Sequence, residues 1–263
     1  MKSSFQKLAS KASVLSVLLL QAAKPADGHY GFPIAIINGV ASEWWEFTRP
    51  VGFGSYTGQF FPIYDWTAEG QVCGFNGTKT GHLTGTAKIE AGSEIGFRAI
   101  PATYNDGIIA PRAYNFKNDV IGHVGPGAAY MSKAPGDLES YEGDGDWFKI
   151  GVSGASDGMY WDSPGKNEMN FTIPKTTPPG KYLVRVEHFN ISPYYNSTQQ
   201  FINCAQVEVS GAGGGTPGPM IKFPGGYDLS DPGIWLPRAL FYPKKPMDGL
   251  KNWKGAGPVV WTG

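Results

Sequence analysis

Short apolar segments, each bounded by Gly, Pro or Asp, recur along this chain and limit the folds open to it. The clearest example is 182–187, where Tyr182, Val184 and Val186 alternate with residues of the opposite face, as in a strand. No segment sustains a helical apolar period over three turns. The sequence therefore predicts an all-β fold, an antiparallel β-sandwich of the immunoglobulin-like or fibronectin-like type with long loops.

The composition agrees with many short strands joined by turns, because the 263 residues include 37 Gly and 21 Pro. Residues 84–90 and 94–100 flank a turn with Gly92 at its centre, and this pattern predicts a hairpin. The other predicted strands are 30–37, 128–133, 147–152, 168–173, 182–187 and 199–209. The Gly-rich stretch 211–218 resembles a linker, but we interpret the Pro-rich and Gly-rich residues after it as a tail that wraps the sandwich.

Residues 1–28 have the composition of a secretory signal peptide. Three lysines, at positions 2, 7 and 11, precede an apolar run at 14–23, and the sequence Ala26-Asp27-Gly28 follows it. Small residues at the third and first positions before a cut are those that signal peptidase accepts. The apolar run is too short to span a bilayer. We therefore predict cleavage after Gly28, a secreted extracellular protein, and a single domain over residues 29–263.

Cleavage after Gly28 would make His29 the first residue of the mature chain. An amino-terminal His has two metal-binding groups, its α-amine and a ring nitrogen, and together they can chelate one ion. Nitrogen ligands in a planar arrangement suit Cu(II) above other divalent first-row metals. The alternative is that any residue can follow a signal peptide, in which case His29 has no metal role.

Charge and cysteine content narrow the function classes. Lys plus Arg and Asp plus Glu are equal at 22 each, so no net charge favours nucleic acid or an anionic membrane as a partner. Cys73 and Cys204 in an oxidising compartment suggest one disulfide, and two buried free thiols are the alternative. Four Asn-X-Ser/Thr sequons are glycosylation candidates: Asn76, Asn170, Asn190 and Asn196.

Three further histidines are candidate ligands. His123 lies in the Gly- and Pro-containing loop 121–126, before a predicted strand, and loops held by a rigid scaffold often carry binding groups. His82 lies in a predicted exposed turn, and His188 follows Glu187 at the end of a predicted strand. For His123 taken alone, a structural role and a ligand role both remain open.

The chain resembles the fungal lytic polysaccharide monooxygenases of auxiliary activity family 9, copper enzymes that cut cellulose oxidatively. The resemblance spans nearly all residues after Gly28 and rests on the order and spacing of many segments. Besides Cys73, these segments are 29–33, 43–49, 91–94, 123–126, 143–149, 182–187, 204–206, 223–227, 231–233 and 257–261.

The resemblance implies the site residues. His29 and His123 would be the two arms of a histidine brace that holds one copper ion per chain, and Cys73 would pair with Cys204. Gln199 would hydrogen-bond the oxygen co-substrate.

Tyr227 is the candidate for binding substrate. It stands in the loop where the family places a surface tyrosine that stacks on sugar rings. The alternative for Tyr227 is an ordinary loop aromatic packed on the sandwich.

Two positions depart from the family pattern. Counting back from Cys204 without a gap, Phe201 stands where the family has an axial copper-binding Tyr. Phe201 and Gln199 are two residues apart and share a strand face, so both can face the metal. A gap before Cys204 would instead make Phe201 ordinary core. Ser192 stands where the family has a His near the oxygen-binding side of copper.

These departures leave two functions open. The first is copper-dependent oxidative cleavage of cellulose or a related β-1,4-glucan at C1 and/or C4, with an external electron donor and oxygen or hydrogen peroxide. The second is a secreted copper-binding or glycan-binding protein on the same scaffold without turnover. We expect a monomer that binds neither nucleic acid nor membrane.

Overall fold

The computed structural model describes residues 29–52, 56–101, 120–194, 196–231, 233–234, 250–251 and 253–263. The predicted signal peptide at 1–28 lies outside these residues. Strands dominate the described chain: β1 (Tyr30–Ile37), β2 (Val40–Ala41), β3 (Ala87–Glu90), β4 (Glu94–Pro101), β5 (Gly127–Lys133), β6 (Trp147–Ser153), β7 (Glu168–Thr172), β8 (Gly180–Asn190), β9 (Gln199–Ser210) and β10 (Met220–Ile221). The helical parts are short: α1 (Tyr56–Phe60), α2 (Gly70–Cys73) and the 3₁₀ turns Gly77–Lys79 and Gly81–Leu83. No helix in this part of the chain is long and apolar enough to cross a membrane.

The strands form two sheets, which confirms the predicted β-sandwich. One sheet has the order β2-β1-β4-β7 and the other β10-β6-β5-β8-β9-β3. All strand pairs are antiparallel except β3 and β9, which run parallel. The main core lies between the sheets, because alternate residues of each strand point inward and are apolar.

A β-bulge in β1 sets which of its residues enter the core. Between Gly31 and Ile34 the register with β4 shifts by one residue. The inward positions are therefore Tyr30, Phe32 and Ala35, whereas strict alternation would have placed Ile34 in the main core. The bulge lies close to the strand start, where the candidate ligand His29 precedes Tyr30.

The predicted hairpin between residues 84–90 and 94–100 is wrong. β3 belongs to the six-stranded sheet and β4 to the four-stranded sheet, so the turn between them crosses from one sheet to the other. The strands pair elsewhere, β3 with β9 and β4 with β7. Ile89 and Ile95 both face the main core from opposite sides. Each strand therefore buries its apolar side chains against the same core from its own sheet.

Long loops form a further layer on the outer face of the six-stranded sheet, and Arg49 holds them in place. Its buried guanidinium donates hydrogen bonds to the Gln206 side chain on β9 and to the backbone carbonyls of Leu138 and Tyr141. The predicted disulfide between Cys73 and Cys204 is confirmed, and it joins α2 in this layer to β9. A second apolar core lies under the loops.

The described part of the C-terminal tail packs on the sandwich. β10 pairs with β6, and the Trp261 N–H donates to the carbonyl of Lys149 on β6 at 2.8 Å. The Trp261 ring meets Phe148 edge to face with centroids 5.2 Å apart. Upstream, the Gly215 N–H bonds the Thr176 carbonyl, so the Gly-rich stretch also lies against the sandwich.

Candidate metal centre

His29 is presented at the start of β1. Tyr30 points into the core and is almost fully buried, whereas His29, directly before the strand, is half-buried. Two contacts hold this end of the strand: Tyr30 pairs with Pro101 on β4, and the Phe32 N–H donates to Asn203 Oδ1 on β9 at 2.9 Å. The position of His29 therefore depends on both sheets.

His123 is presented by the loop before β5, at the same end of the sandwich. The loop continues the pairing of β5 with β8. The Phe189 N–H donates to the Pro126 carbonyl at 2.9 Å, and the Ile191 N–H donates to the Val124 carbonyl at 3.3 Å. These backbone bonds hold the chain directly after His123 against the rigid sheet.

Phe201 on β9 lies next to both histidine rings. Its ring centroid is 5.5 Å from that of His123, with nearly parallel planes, and 6.4 Å from that of His29. The register of β9 with β8 is unbroken from Gln199 to Val209. Phe201 is thus a residue of the main core whose ring also lies beside both candidate ligands, and its axial role stays a prediction.

The two imidazoles offer suitable donors for a metal ion. Nδ1 of His29 and Nε2 of His123 are both shielded from solvent. Burial lowers the pKa of His29, which favours the neutral imidazole that binds metal. Within the described ranges no group of three or more His, Cys, Asp or Glu side chains could hold a metal. Two imidazoles need a further nitrogen, which a free α-amine of His29 would supply.

A chain of polar groups lies in the core beneath the histidines. Tyr30 Oη is 2.5 Å from His188 Nδ1, and His188 Nε2 is 2.9 Å from Ser163 Oγ. Ser163 Oγ in turn donates to the Gly125 carbonyl at 3.0 Å. Burial, and secondarily the nearby His123, lowers the pKa of His188 to about 3, so its imidazole is neutral at physiological pH.

Comparisons with known proteins agree with this architecture. The profile of Auxiliary Activity family 9 (formerly GH61) matches residues 29–245. AA9 family lytic polysaccharide monooxygenase U of Thermothielavioides terrestris is 41% identical over 253 residues, which cover 90% of this chain and 94% of that protein. Monooxygenase C of Emericella nidulans is 36% identical, with 90% and 94% covered. The chain belongs to Auxiliary Activity family 9.

The members of this family are copper-dependent lytic polysaccharide monooxygenases, oxidoreductases that degrade polysaccharides. The crystal structure of HiLPMO9B has the same fold, with a TM-score of 0.66 and 25% identity over 89% of this chain and all of that one. A cellulose-active polysaccharide monooxygenase from M. thermophila also shares the fold, with a TM-score of 0.64 and 23% identity over 89% and 100%.

The prediction that Tyr227 lies on a polysaccharide-binding surface of this AA9 protein is wrong. Tyr227 is only 8% exposed and belongs to the core under the outer loops. Its hydroxyl donates to Glu187 Oε1 at 2.5 Å and lies 2.6 Å from the Tyr130 hydroxyl. Glu187 also forms a buried ion pair with Arg185. Tyr227 therefore completes the hydrogen bonding of a buried carboxylate, a contact that its loop sequence does not reveal.

Gln199 lies at the first position of β9, on the same strand face as Phe201. Its Oε1 accepts a hydrogen bond from Asn190 Nδ2 at 2.6 Å, and its Nε2 donates to the Tyr64 hydroxyl at 2.7 Å. These bonds fix the amide orientation. A role toward the oxygen co-substrate stays a prediction, and it would use the second hydrogen of Nε2.

Ser192, which stands where the family has a histidine, makes its hydrogen bonds within its own loop. Its Oγ accepts a hydrogen bond from the Tyr194 N–H at 3.1 Å, and its N–H donates to Thr198 Oγ1 at 3.0 Å. The hydroxyl is therefore engaged in holding the turn between β8 and β9.

The sequence does not single out two exposed aromatic residues, one beside His29 and one beside Gln199. The Phe61 ring is 5.3 Å from the His29 ring and 47% exposed. Tyr64 is 46% exposed and accepts the hydrogen bond from Gln199. Both lie in the loop after α1, and no periodic pattern there distinguishes them from other loop aromatics.

Sequence reasoning also passed over the position of His188. The alternation of Tyr182, Val184 and Val186 predicts that His188 faces the same way, and the structure places all four on the inner face of β8. His82 is exposed in a 3₁₀ turn, as predicted.

The four sequons differ in exposure. Asn170 and Asn196 are exposed, whereas Asn76 and Asn190 are half-buried. The Asn190 amide already donates to Gln199. Glycosylation stays a prediction at all four, and the exposed pair offers room for a glycan.

We expect Tyr227→Phe to lower the free energy of unfolding by about 1–3 kcal/mol, because Glu187 Oε1 would lose a donor inside the core. Tyr160→Phe is the matched control: Tyr160 is 51% exposed, and its replacement should change stability by less than about 0.5 kcal/mol. Urea unfolding followed by tryptophan fluorescence measures both. A surface role for Tyr227 would be restored if Tyr227→Phe kept full stability but lost affinity for insoluble polysaccharide.

Proposed function

We propose that this chain is a secreted, monomeric copper monooxygenase that cleaves a β-1,4-glucan such as cellulose at C1 and/or C4. The observation that carries this proposal is the convergence of His29 and His123 on Phe201, at one end of the sandwich. The match to the family profile begins at His29, the residue after the predicted cleavage site, which supports removal of residues 1–28.

The donor set fits one copper ion. The α-amine, Cα, Cβ, Cγ and Nδ1 of His29 would close a six-membered ring with the ion, and Nε2 of His123 would supply the third nitrogen. Three nitrogens in this arrangement suit Cu(II). Copper, when bound, supplies the one-electron redox chemistry by which an external donor and oxygen or hydrogen peroxide can attack a C–H bond of the glucan.

The surrounding side chains shape what can approach the ligands. The apolar ring of Phe201 lies against both imidazoles and would offer a bound ion no oxygen ligand. Gln199 would donate a hydrogen bond to the oxygen co-substrate from Nε2, in an orientation held by Asn190 and Tyr64. Ser192 contributes to the loop and not to this donor set.

The surface beside His29 supports a polysaccharide substrate. The exposed ring of Phe61 lies against the His29 ring, and the exposed Tyr64 accepts a hydrogen bond from Gln199. Aromatic faces bind the apolar faces of sugar rings, and a flat polymer would meet both rings together. These two residues replace Tyr227 as the proposed substrate contacts.

A second function is favoured by Phe201 and Ser192. Both stand where the family has groups near copper, and loss of such outer-shell partners commonly costs 10–100-fold in metal affinity or activity. A secreted copper-binding or glycan-binding protein without turnover would keep His29 and His123 and tolerate both changes.

Product analysis separates the two functions. The mature chain, copper-loaded and supplied with a reductant and oxygen or hydrogen peroxide, should release oxidised oligosaccharides from cellulose, detected by mass spectrometry. The His123→Ala variant is the control and should release none. Tight copper binding with no oxidised product on a panel of β-glucans would establish the second function.

Copper binding should require cleavage after Gly28, because a retained residue converts the α-amine of His29 into an amide. Calorimetric titration of Cu(II) should show a large loss of affinity in a chain that keeps Gly28. An ordinary α-amine has a pKa of about 7.7–8.0, so below that range copper must displace a proton and the affinity should fall as the pH drops. The lowered pKa of His29 makes its ring a weaker competitor for protons. Equal affinity of the cleaved and the extended chain would rule out the brace.

The same titration distinguishes the histidines. His123→Ala should remove most of the copper affinity of the cleaved chain, since only two imidazoles converge at the site. His82→Ala, in an exposed turn, is the matched control and should leave the dissociation constant unchanged. An equal loss in both variants would place the copper elsewhere.

Phe201→Tyr should change the electron paramagnetic resonance spectrum of the Cu(II) form, because it adds a hydroxyl to a ring that contacts both histidines. Melting temperature is measured alongside. A changed spectrum at an unchanged melting temperature supports the axial position. An unchanged spectrum with a lower melting temperature would mean that the hydroxyl is merely buried without a partner, which costs about 1–3 kcal/mol.

A further inference from the structure

We infer that His188 is a positioning residue of the metal centre: through Tyr30 and Ser163 it ties the strand that carries His29 to the loop that carries His123. The inference rests on the proposed function, since it assigns His188 a task toward the copper ligands. It concerns a residue of the sandwich core that contacts neither substrate nor, by itself, the ion.

The hydrogen bonds that link Tyr30, His188, Ser163 and Gly125 have one consistent assignment of donors and acceptors. The Ser163 hydroxyl has a single hydrogen, which it donates to the Gly125 carbonyl. Ser163 Oγ must therefore accept from His188 Nε2–H, and His188 Nδ1 is then the acceptor for the Tyr30 hydroxyl. Only the neutral Nε2–H tautomer of His188 satisfies every group.

The two ends of this series of hydrogen bonds, Tyr30 and Gly125, lie close in sequence to the candidate ligands. Tyr30 directly follows His29, and Gly125 is two residues after His123. The Tyr30 ring also stacks on Phe201 with centroids 4.3 Å apart and lies 5.7 Å from the His123 ring. A shift of Tyr30 would therefore be felt at both ligands and at the ring that lies against them.

Backbone geometry fixes the Gly125 end of this series of hydrogen bonds. Gly125 has φ +146°, and a Cβ at this position would lie 1.9 Å from the Phe189 carbonyl oxygen on β8. Only glycine allows this close approach, which turns the Gly125 carbonyl toward Ser163. The loop after His123 thus has one position in which Ser163 can bond it.

Because the groups in this series of hydrogen bonds are buried, they restrict how far the two connected segments can move. His188 and Ser163 are fully buried and Tyr30 nearly so, and no water competes for their polar groups. A displacement of either segment would leave a buried donor or acceptor without its partner, which is unfavourable inside a core. The chain also bridges the two sheets, since Tyr30 belongs to β1 and His188 to β8.

Packing alone does not call for histidine at this position. The residues before it on the inner face of β8, Val184 and Val186, are apolar and fully buried. An aliphatic side chain at 188 would continue that pattern. A buried imidazole with both nitrogens engaged instead specifies one arrangement of the groups around it.

The test uses the mature chain with His188→Leu, Tyr30→Phe, the double variant, and Val184→Ala as the matched control from the same face of β8. The readouts are the Cu(II) electron paramagnetic resonance spectrum, the calorimetric dissociation constant for Cu(II), and the melting temperature. His188→Leu should alter the copper hyperfine splitting and weaken copper binding by about tenfold, the lower end of the effect of residues that orient metal ligands.

Tyr30→Phe should give the same spectral change, and the double variant should add little to it, because the two residues act through one chain. Val184→Ala should lower the melting temperature but keep the native spectrum and dissociation constant. A native spectrum and affinity in His188→Leu, or the same changes in Val184→Ala, would overturn the inference. If His188→Leu does not fold, His188→Gln, which keeps a donor toward Ser163, should shift the spectrum in the same sense as Tyr30→Phe but by less, and a native spectrum in both variants would overturn the inference.

Crystal structures of the metal-free native and His188→Leu chains make the test independent of the proposed function. The separation of the His29 and His123 rings should differ between the two. An unchanged separation would contradict the inference even if copper binds. Failure of the native chain to bind copper would contradict the proposed function while the ring separation still tests His188.

Discussion

The pairing of β8 with β9 is the interaction on which the rest of the structure depends. Residue pairs join the two strands without a break from Gly180 to Asn190. One face of this ladder closes the sandwich core and ends at the opposed pair His188 and Phe201, directly under the metal centre. The other face carries Arg185 and Cys204, to which the outer loops are attached. A slip of one residue would exchange the two faces, so a single register sets both the core and the site.

The outer loop layer explains why charged residues and Tyr227 lie inside this protein. Irregular loops bring carbonyl groups into a buried layer where no ladder pairs them. The guanidinium of Arg49 bonds several of these carbonyls, and that of Arg185 bonds one from α2 and the carboxylate of Glu187. The remaining oxygen of Glu187 takes the Tyr227 hydroxyl. The layer therefore uses Tyr227 as a hydrogen-bond donor to a buried carboxylate.

Local patterns predicted the strands, because period-two alternation is a property of each segment by itself. Partner choice is not local, which is why residues 84–90 and 94–100 looked like a hairpin but pair with β9 and β7. Counting back from Cys204 needs no gap, because β9 has no bulge against β8, and it leads to a ring that lies beside both histidines. The role of Tyr227 depends on Glu187, forty residues away, and the place of Phe61 depends on how its loop folds back. Neither has a signature in its own segment.

The two candidate ligands come from different sheets, so their separation is a tertiary property of the sandwich. His29 leads into β1, and His123 precedes β5. Directly beneath them lies the apolar ring of Phe201, which can exclude water but cannot fix direction. Hydrogen bonds can fix the orientation of the groups they join, because they weaken steeply as the bond angle departs from linear. The polar chain through Tyr30 and His188 lies in the core beneath the site, where it orients the segments without offering the ion a competing ligand. In the proposed centre the core would supply rigidity and the two histidines ligation, and a third nitrogen would come from the α-amine of His29 once residues 1–28 are removed.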